Sequence, residues 1–189
     1  MKNLFLTLSC AFLAITTTYA QHIDLQINPI GALFGSLSAT AEFPISESIG
    51  VEPQVGLLFQ NRDLLGVDYK GRGFGLGVNG KFYFGPDDGH DRFYAMGYLR
   101  YQNSNFSVDS DGGGGTDYSQ NRVSLGVGLG YKWVADNGFL FELAVGGGRA
   151  LLNSYDFEGE DETFERALDD LTLIDLYGRL SLGYRLIRN

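Results

Sequence analysis

The sequence predicts an all-β protein: an eight-stranded, antiparallel, up-and-down closed transmembrane β-barrel with a side-chain-filled lumen. Three observations predict it. Apolar and polar residues alternate with a period of two in eight separate segments. The connections between those segments alternate between short and long, except the first, near Leu33, which is short where the rule asks for a long one. Charges of both signs gather on one of the two faces that the alternation defines. Successive side chains of a strand point to opposite sides, so a period of two means one apolar wall and one polar wall.

The expected strands run near 22–32, 34–44, 49–60, 71–84, 92–106, 120–134, 138–149 and 173–187. Ile23, Leu25 and Ile27 alternate with Asp24, Gln26 and Asn28, and Leu37, Ala39, Ala41 and Phe43 alternate with Ser38, Thr40 and Glu42. Val51, Val55, Leu57 and Phe59 oppose Glu52, Gln54 and Gln60, while Phe74, Leu76, Val78, Phe82 and Phe84 oppose Gly75, Gly77, Asn79, Lys81 and Tyr83. Phe93, Ala95, Leu99 and Tyr101 face away from Tyr94, Tyr98, Arg100 and Gln102. The clearest stretch is Arg122 to Trp133, in which Val123, Leu125, Val127, Leu129, Tyr131 and Trp133 oppose Arg122, Ser124, Gly126, Gly128, Gly130 and Lys132. Phe139, Phe141, Leu143 and Val145 then oppose Glu142, Ala144 and Gly146. The last segment sets Leu176, Leu180, Leu182, Tyr184 and Leu186 against Asp175, Tyr177, Arg179, Ser181 and Arg185. Only Glu162 to Leu171 could continue as a helix after the leader. Pro29 and Pro53 fall inside expected strands, and each should mark a bulge or a strand end because proline cannot donate to a ladder.

Residues 1–20 read as a secretory signal peptide: Lys2, the apolar run Leu4 to Ile15, and Thr18-Tyr19-Ala20 before a cleavage site. Residues 21–189 are then the barrel domain. The single cysteine, Cys10, lies in the leader, so no disulfide is expected in the mature chain. A formal net charge of -9 argues against nucleic acid, which needs a basic patch.

The connections Pro44–Ser48, Gly85–Asp91 and Ala135–Asn137 are short, whereas Asn61–Lys70, Asn103–Ser119 and Ala150–Thr172 are long and polar. Short turns at one end and long loops at the other are the asymmetry of outer-membrane barrels. The polar wall carries Asp24, Glu42, Glu52, Glu142 and Asp175 against Lys81, Arg100, Lys132, Arg179 and Arg185, a balance that enclosed charges require. These ten are the expected lumen charge network, with a structural role. Lys132 should find Glu142 on the next strand, or a residue of the preceding one. Phe43, Phe82, Phe84, Phe93, Tyr131, Trp133, Phe139, Phe141 and Tyr184 gather near the short-turn end of the apolar wall and form the expected aromatic girdle. Inward glycines should admit tyrosine rings.

The leader, the eight amphipathic strands, the alternating turn lengths and the closing Tyr177-Gly178-Arg179-Leu180-Ser181-Leu182-Gly183-Tyr184-Arg185-Leu186 strand resemble small outer-membrane barrels of the OmpA and OmpX type. Asn28-Pro29-Ile30-Gly31, followed by Leu37 to Phe43, also resembles a family of such barrels whose role is uncharacterised. The resemblance implies an outer-membrane location, membrane lipid as surroundings (lipopolysaccharide included), a monomer and no open channel. One departure is the ending Leu186-Ile187-Arg188-Asn189, where such barrels carry an aromatic residue that the assembly machinery reads.

No enzymatic constellation, metal site or cofactor is expected. Only two histidines exist, His22 and His90, and His90 belongs to a short turn. Asp109-Ser110-Asp111-Gly112 with Asp117 lacks the closing glutamate of a calcium loop. Gly146-Gly147-Gly148 opens no helix, so no phosphate loop forms. The run Glu158 to Glu162 could hold bridging divalent cations, but reads first as a solvated loop. The leading expectation is an outer-membrane structural or interaction protein displaying three polar loops. The alternatives are a soluble periplasmic lipocalin-like barrel with an apolar ligand, and a lipid-modifying enzyme of the outer membrane.

Overall fold

The computed structural model describes residues 22–33, 35–64, 67–87, 89–110, 114–157 and 173–187. The expected leader and the candidate helix at Glu162 to Leu171 lie outside them. Eight strands follow one another around a closed barrel: β1 (His22–Asn28), β2 (Ser36–Pro44), β3 (Ile49–Leu64), β4 (Val67–Tyr83), β5 (Arg92–Ser110), β6 (Gly114–Val134), β7 (Phe139–Phe157) and β8 (Ile174–Ile187). Every neighbouring pair is antiparallel, and β1 pairs with β8 through Asp24↔Arg185 and Leu25↔Tyr184, so no strand edge is left open.

Three features differ from the sequence expectation. The first strand stops at Asn28, and Pro29–Leu33 forms a short helical turn, α1. Asn28 Oδ1 accepts a hydrogen bond from Gly31 N at 3.2 Å, and Pro29 takes the first helical position, where a missing N–H costs nothing. Pro29 therefore marks a strand end, as its chemistry requires. Pro53 behaves otherwise. It stays in register with Val78 of β4, with no bulge. On its other side the ladder to β2 runs through Thr40↔Gln54 and resumes at Phe43↔Val51, passing over Ala41 and Glu42. The missing N–H is absorbed as a local gap in one ladder rather than as a shift of register.

The third difference is the largest. Asn61–Lys70 and Asn103–Ser119 are not open loops, because β3, β4, β5 and β6 continue as paired ribbons well past the apolar wall. Ala150–Phe157 likewise extends β7, leaving 158–172 outside the described residues. Beyond the apolar belt the outer face no longer meets lipid, so apolar alternation disappears while backbone pairing persists. At ~3.3 Å per residue, the 21 residues of β6 span about 70 Å, roughly twice what a tilted crossing of an apolar band ~25 Å tall requires. A bulge between Val123 and Ser124 resets the β6–β7 register at the base of this extension.

The barrel buries its polar wall and exposes its apolar one. Asp24, Glu42, Glu52, Lys81, Lys132 and Glu142 are all at most 1% exposed. Val127, Leu129, Val145 and Leu176 lie on the outside, with Val127 71% exposed. Each of the eight strands contributes exposed aliphatic or aromatic residues, so the apolar surface is a continuous belt rather than a patch.

Candidate functional site

The site is the inside of the barrel, and the strand alternation places its residues there. Lys81 of β4 reaches into a group of three carboxylates: Glu42 Oε2 at 2.8 Å, Glu52 Oε2 at 2.7 Å and Glu142 Oε2 at 2.8 Å. Lys132 of β6 lies beside it, 2.9 Å from Asp24 Oδ2 and 2.5 Å from Glu42 Oε2. Arg179 of β8 bridges Glu52 at 2.6 Å and Glu142. Arg185 closes the ring on Asp24, with Nε at 2.8 Å from Oδ1 and Nη2 at 2.9 Å from Oδ2. The cluster thus sets Lys81, Lys132, Arg179 and Arg185 against Asp24, Glu42, Glu52 and Glu142, four charges of each sign. Buried ions are tolerated only when paired and hydrogen-bonded, and this balance meets that condition.

Neutral donors complete the arrangement. Tyr83 OH donates to Glu42 at 2.8 Å, Tyr94 OH to Glu142 at 2.7 Å, Asn79 Nδ2 to Glu52 at 2.7 Å and Gln26 Nε2 to Glu142 at 3.1 Å. Oxygens of Glu42, Glu52 and Glu142 lie within 4.8 Å of one another, the spacing of a metal cage. Lys81 Nζ lies in contact with all three, so the ammonium stands where a bound cation would sit.

The ten charges singled out from the sequence separate into two groups. Asp24, Glu42, Glu52, Lys81, Lys132, Glu142, Arg179 and Arg185 form the cluster near the short-turn end. Arg100 and Asp175 pair higher in the lumen, at 2.5 Å, where Arg122 also approaches Asp175 at 3.7 Å. Lys132 pairs with Glu142 as expected, but it has closer partners that were not foreseen. Glu142, its direct neighbour in the β6–β7 ladder, stands 3.9 Å away, and no acidic residue of β5 takes part among the described residues. The closer partners come from β1 and β2, across the lumen, because a lysine stem is long enough to cross a narrow barrel.

The sequence missed His90. It was expected in an ordinary turn, yet the β4–β5 turn folds it into the barrel floor, where it is 1% exposed. Its Nδ1 faces Glu42 Oε1 at 3.0 Å and its Nε2 faces the Ser46 carbonyl at 2.7 Å. The ring stacks on Tyr83 at 4.7 Å and meets His22 edge-on at 5.6 Å. Arg185 Nη2 also donates to the His90 carbonyl at 3.0 Å. No periodicity marks a turn residue, so nothing in the pattern could have shown this.

Glycines complete the packing. A Cβ on Gly126 or Gly130 would run into the rings of Tyr98 and Tyr94, and one on Gly128 would lie 2.6 Å from Met96 Cε. Gly56 and Gly75 are different: the nearest atoms to an added Cβ lie at 3.7 and 3.5 Å. They border a cavity of about 190 Å³ in the upper lumen, beside Gln54, Arg100, Tyr177 and Arg179.

On the outer wall, Phe82, Phe84, Phe93, Tyr131, Trp133, Phe139 and Tyr184 are exposed at the short-turn end, and Phe141 is half-buried. Phe93 meets Tyr131 at 5.1 Å and Phe82 meets Phe84 at 5.3 Å. A second row, not anticipated from the sequence, includes Phe74 and Tyr101 at 6.0 Å, with Phe59 also exposed. Phe74 and Phe82 are eight residues apart on β4, about 26 Å along the strand. Tilted by about 40°, that separation gives roughly 20 Å of height, close to the spacing of two membrane interfaces. Above the second row, Phe106 stacks on Tyr118 at 5.0 Å, and Gln120 Nε2 donates to Asn153 Oδ1 and Tyr155 OH, each at 2.9 Å.

No curated protein sequence matches the chain. Among solved structures, the attachment invasion locus protein Ail of Yersinia pestis is similar over 88% of this chain and 99% of its own, with 10% identity and a TM-score of 0.54. CarO of Acinetobacter baumannii is similar over 87% of this chain and 97% of its own, with 9% identity and a TM-score of 0.58. At such identities the likeness is one of fold, the closed eight-stranded barrel. A family model matches residues 6–170, most of the chain, and on that match the protein belongs to the family described as protein of unknown function (DUF3575).

Proposed function

We propose that the chain is an outer-membrane barrel with a structural or interaction role, presenting its long hairpins on the far side of the membrane from its short turns. The observation that carries this reading is the inversion of the walls. Charges fill the inside, and an apolar belt bounded by two aromatic rows covers the outside. A soluble lipocalin-like barrel needs the opposite arrangement, and so large an exposed apolar surface suits lipid rather than water. Residues 1–20 serve as the leader that delivers the chain across the inner membrane, with the barrel beginning near residue 21.

The ion cluster acts as a structural plug rather than a catalytic centre. His22 and His90 both lie at the short-turn end, which in this orientation is periplasmic and remote from external lipid. The hairpins are paired ribbons stiffened by the Phe106–Tyr118 stack, and a hollow of about 860 Å³ among them, lined by Gln60, Phe106 and Tyr118, offers a surface to an external partner. Lipopolysaccharide surrounds the outer half of the belt, and the barrel works as a monomer.

Cell fractionation tests the reading. The mature protein should appear in the outer-membrane fraction and migrate differently on gels before and after heating. Recovery in the soluble periplasm would overturn it.

A further inference from the structure

The barrel floor buries an ionisable ring that strand alternation did not place there, His90. Both groups that its nitrogens face are acceptors: Glu42 Oε1 lies 3.0 Å from Nδ1, and the Ser46 carbonyl lies 2.7 Å from Nε2. Glu42 also accepts from Lys81 at 2.8 Å, Lys132 at 2.5 Å and Tyr83 OH at 2.8 Å, so it has no proton to offer the ring. A neutral imidazole carries one N–H, which serves one acceptor and turns a lone pair on the other. An imidazolium serves both. Turning the ring over would set carbons against both acceptors. The surroundings also confine it. The ring stacks on Tyr83 at 4.7 Å and meets His22 edge-on at 5.6 Å, and a Cβ added to Gly50 would lie 2.9 Å from Nδ1.

We propose that His90 is a proton-operated latch on the floor of the barrel. With both nitrogens protonated, it ties the β4–β5 turn to Glu42 of β2 and to Ser46 of the β2–β3 turn. As the pH rises the ring gives up one proton. The remaining N–H stays with Glu42, because a bond to a carboxylate is the stronger one. The Ser46 carbonyl is released, the β2–β3 turn loosens, and water gains access to the ion cluster from below. Among the described residues, the charged and titratable groups around the ring come from five strands. Glu42 of β2, His22 of β1 and Tyr83 of β4 meet it directly, and Arg185 of β8 donates to the His90 carbonyl at 3.0 Å. Lys81 of β4 and Lys132 of β6 stand behind Glu42. That the latch faces the periplasm rests on the orientation proposed above, whereas its action depends on the floor alone.

The test uses the full barrel refolded in detergent micelles and labelled with ¹⁵N, so it does not depend on where the protein resides in the cell. Exchange of the Ile45 amide, bonded to the Ile49 carbonyl in the β2–β3 turn, is compared with that of Ala135, bonded to the Phe139 carbonyl in the β6–β7 turn. The comparison runs from about pH 5 to about pH 9, across the range in which histidines titrate, and the ratio cancels the intrinsic pH dependence of exchange. Protection of Ile45 relative to Ala135 should fall roughly tenfold as the pH rises, the worth of one hydrogen bond to a charged group. The midpoint should match that at which ¹⁵N shifts show one His90 ring nitrogen losing its proton. His22→Gln should keep the step and His90→Gln should lose it. If His90→Gln does not fold, the match of the two wild-type midpoints decides. A constant ratio, a His90 ring that keeps one protonation state throughout, midpoints that differ, or a step that survives in His90→Gln would overturn the proposal.

Discussion

The two halves of the lumen use the same residue types to opposite ends. Below, Lys81, Lys132, Arg179 and Arg185 are each in contact with carboxylates, and Gly126 and Gly130 are spaces already taken by tyrosine rings. Above, among the described residues, Arg100 and Arg122 share the carboxylate of Asp175, and Gly56 and Gly75 border open volume. The lower half therefore derives rigidity from paired charges and filled space, while the upper half keeps room. A glycine or an arginine is not one kind of signal; its meaning depends on what the facing strand supplies.

The comparison can be broken by substitution. Glu42→Ala removes the acceptor shared by Lys81, Lys132, Tyr83 and His90. Stranding buried cations costs about 3–5 kcal/mol, so urea titration in lipid vesicles should show the greatest loss of stability here. Val127→Arg places a charge at mid-belt on the outer wall and should cost roughly 2–4 kcal/mol in the same titration. Gly128→Arg, pointing inward, separates the two walls: tolerance of Val127→Arg with intolerance of Gly128→Arg would reverse their assignment. Gly130→Val drives a branched side chain into the Tyr94 ring and should cost about 1–3 kcal/mol by overpacking. Gly75→Ala, in the open half, should change stability by no more than about 0.5 kcal/mol. Equal losses for Gly130→Val and Gly75→Ala would erase the distinction between packed and open halves.

Much of the barrel was legible because a period of two reports the environment of each wall directly. All eight strands, the inward charges and the short-turn aromatics follow from it. The hairpin extensions were not legible for the same reason. Asn103 to Ser107 pair with Asp117 to Asn121 in unbroken register, but their composition carries no apolar alternation. Lys132 shows a second limit. Ladder neighbours can be guessed from turn lengths, whereas Asp24 and Glu42 reach Lys132 only once the sheet closes on itself. His90 shows a third, since a turn that folds inward carries no repeating pattern at all.

The bidentate Asp24–Arg185 pair joins the first and last strands, whose direct register partners they are. A slip of one residue at this seam would turn either Arg185 or Asp24 outward into lipid, because neighbouring positions face opposite walls. Where Asp24 is the residue turned out, Lys132 also loses one of its two close acceptors, and where Arg185 is, Asp24 is left inside without its guanidinium. Closure in the wrong register is therefore penalised twice, once outside and once inside. The seam carries its own proofreading for the step that turns an open sheet into a cylinder.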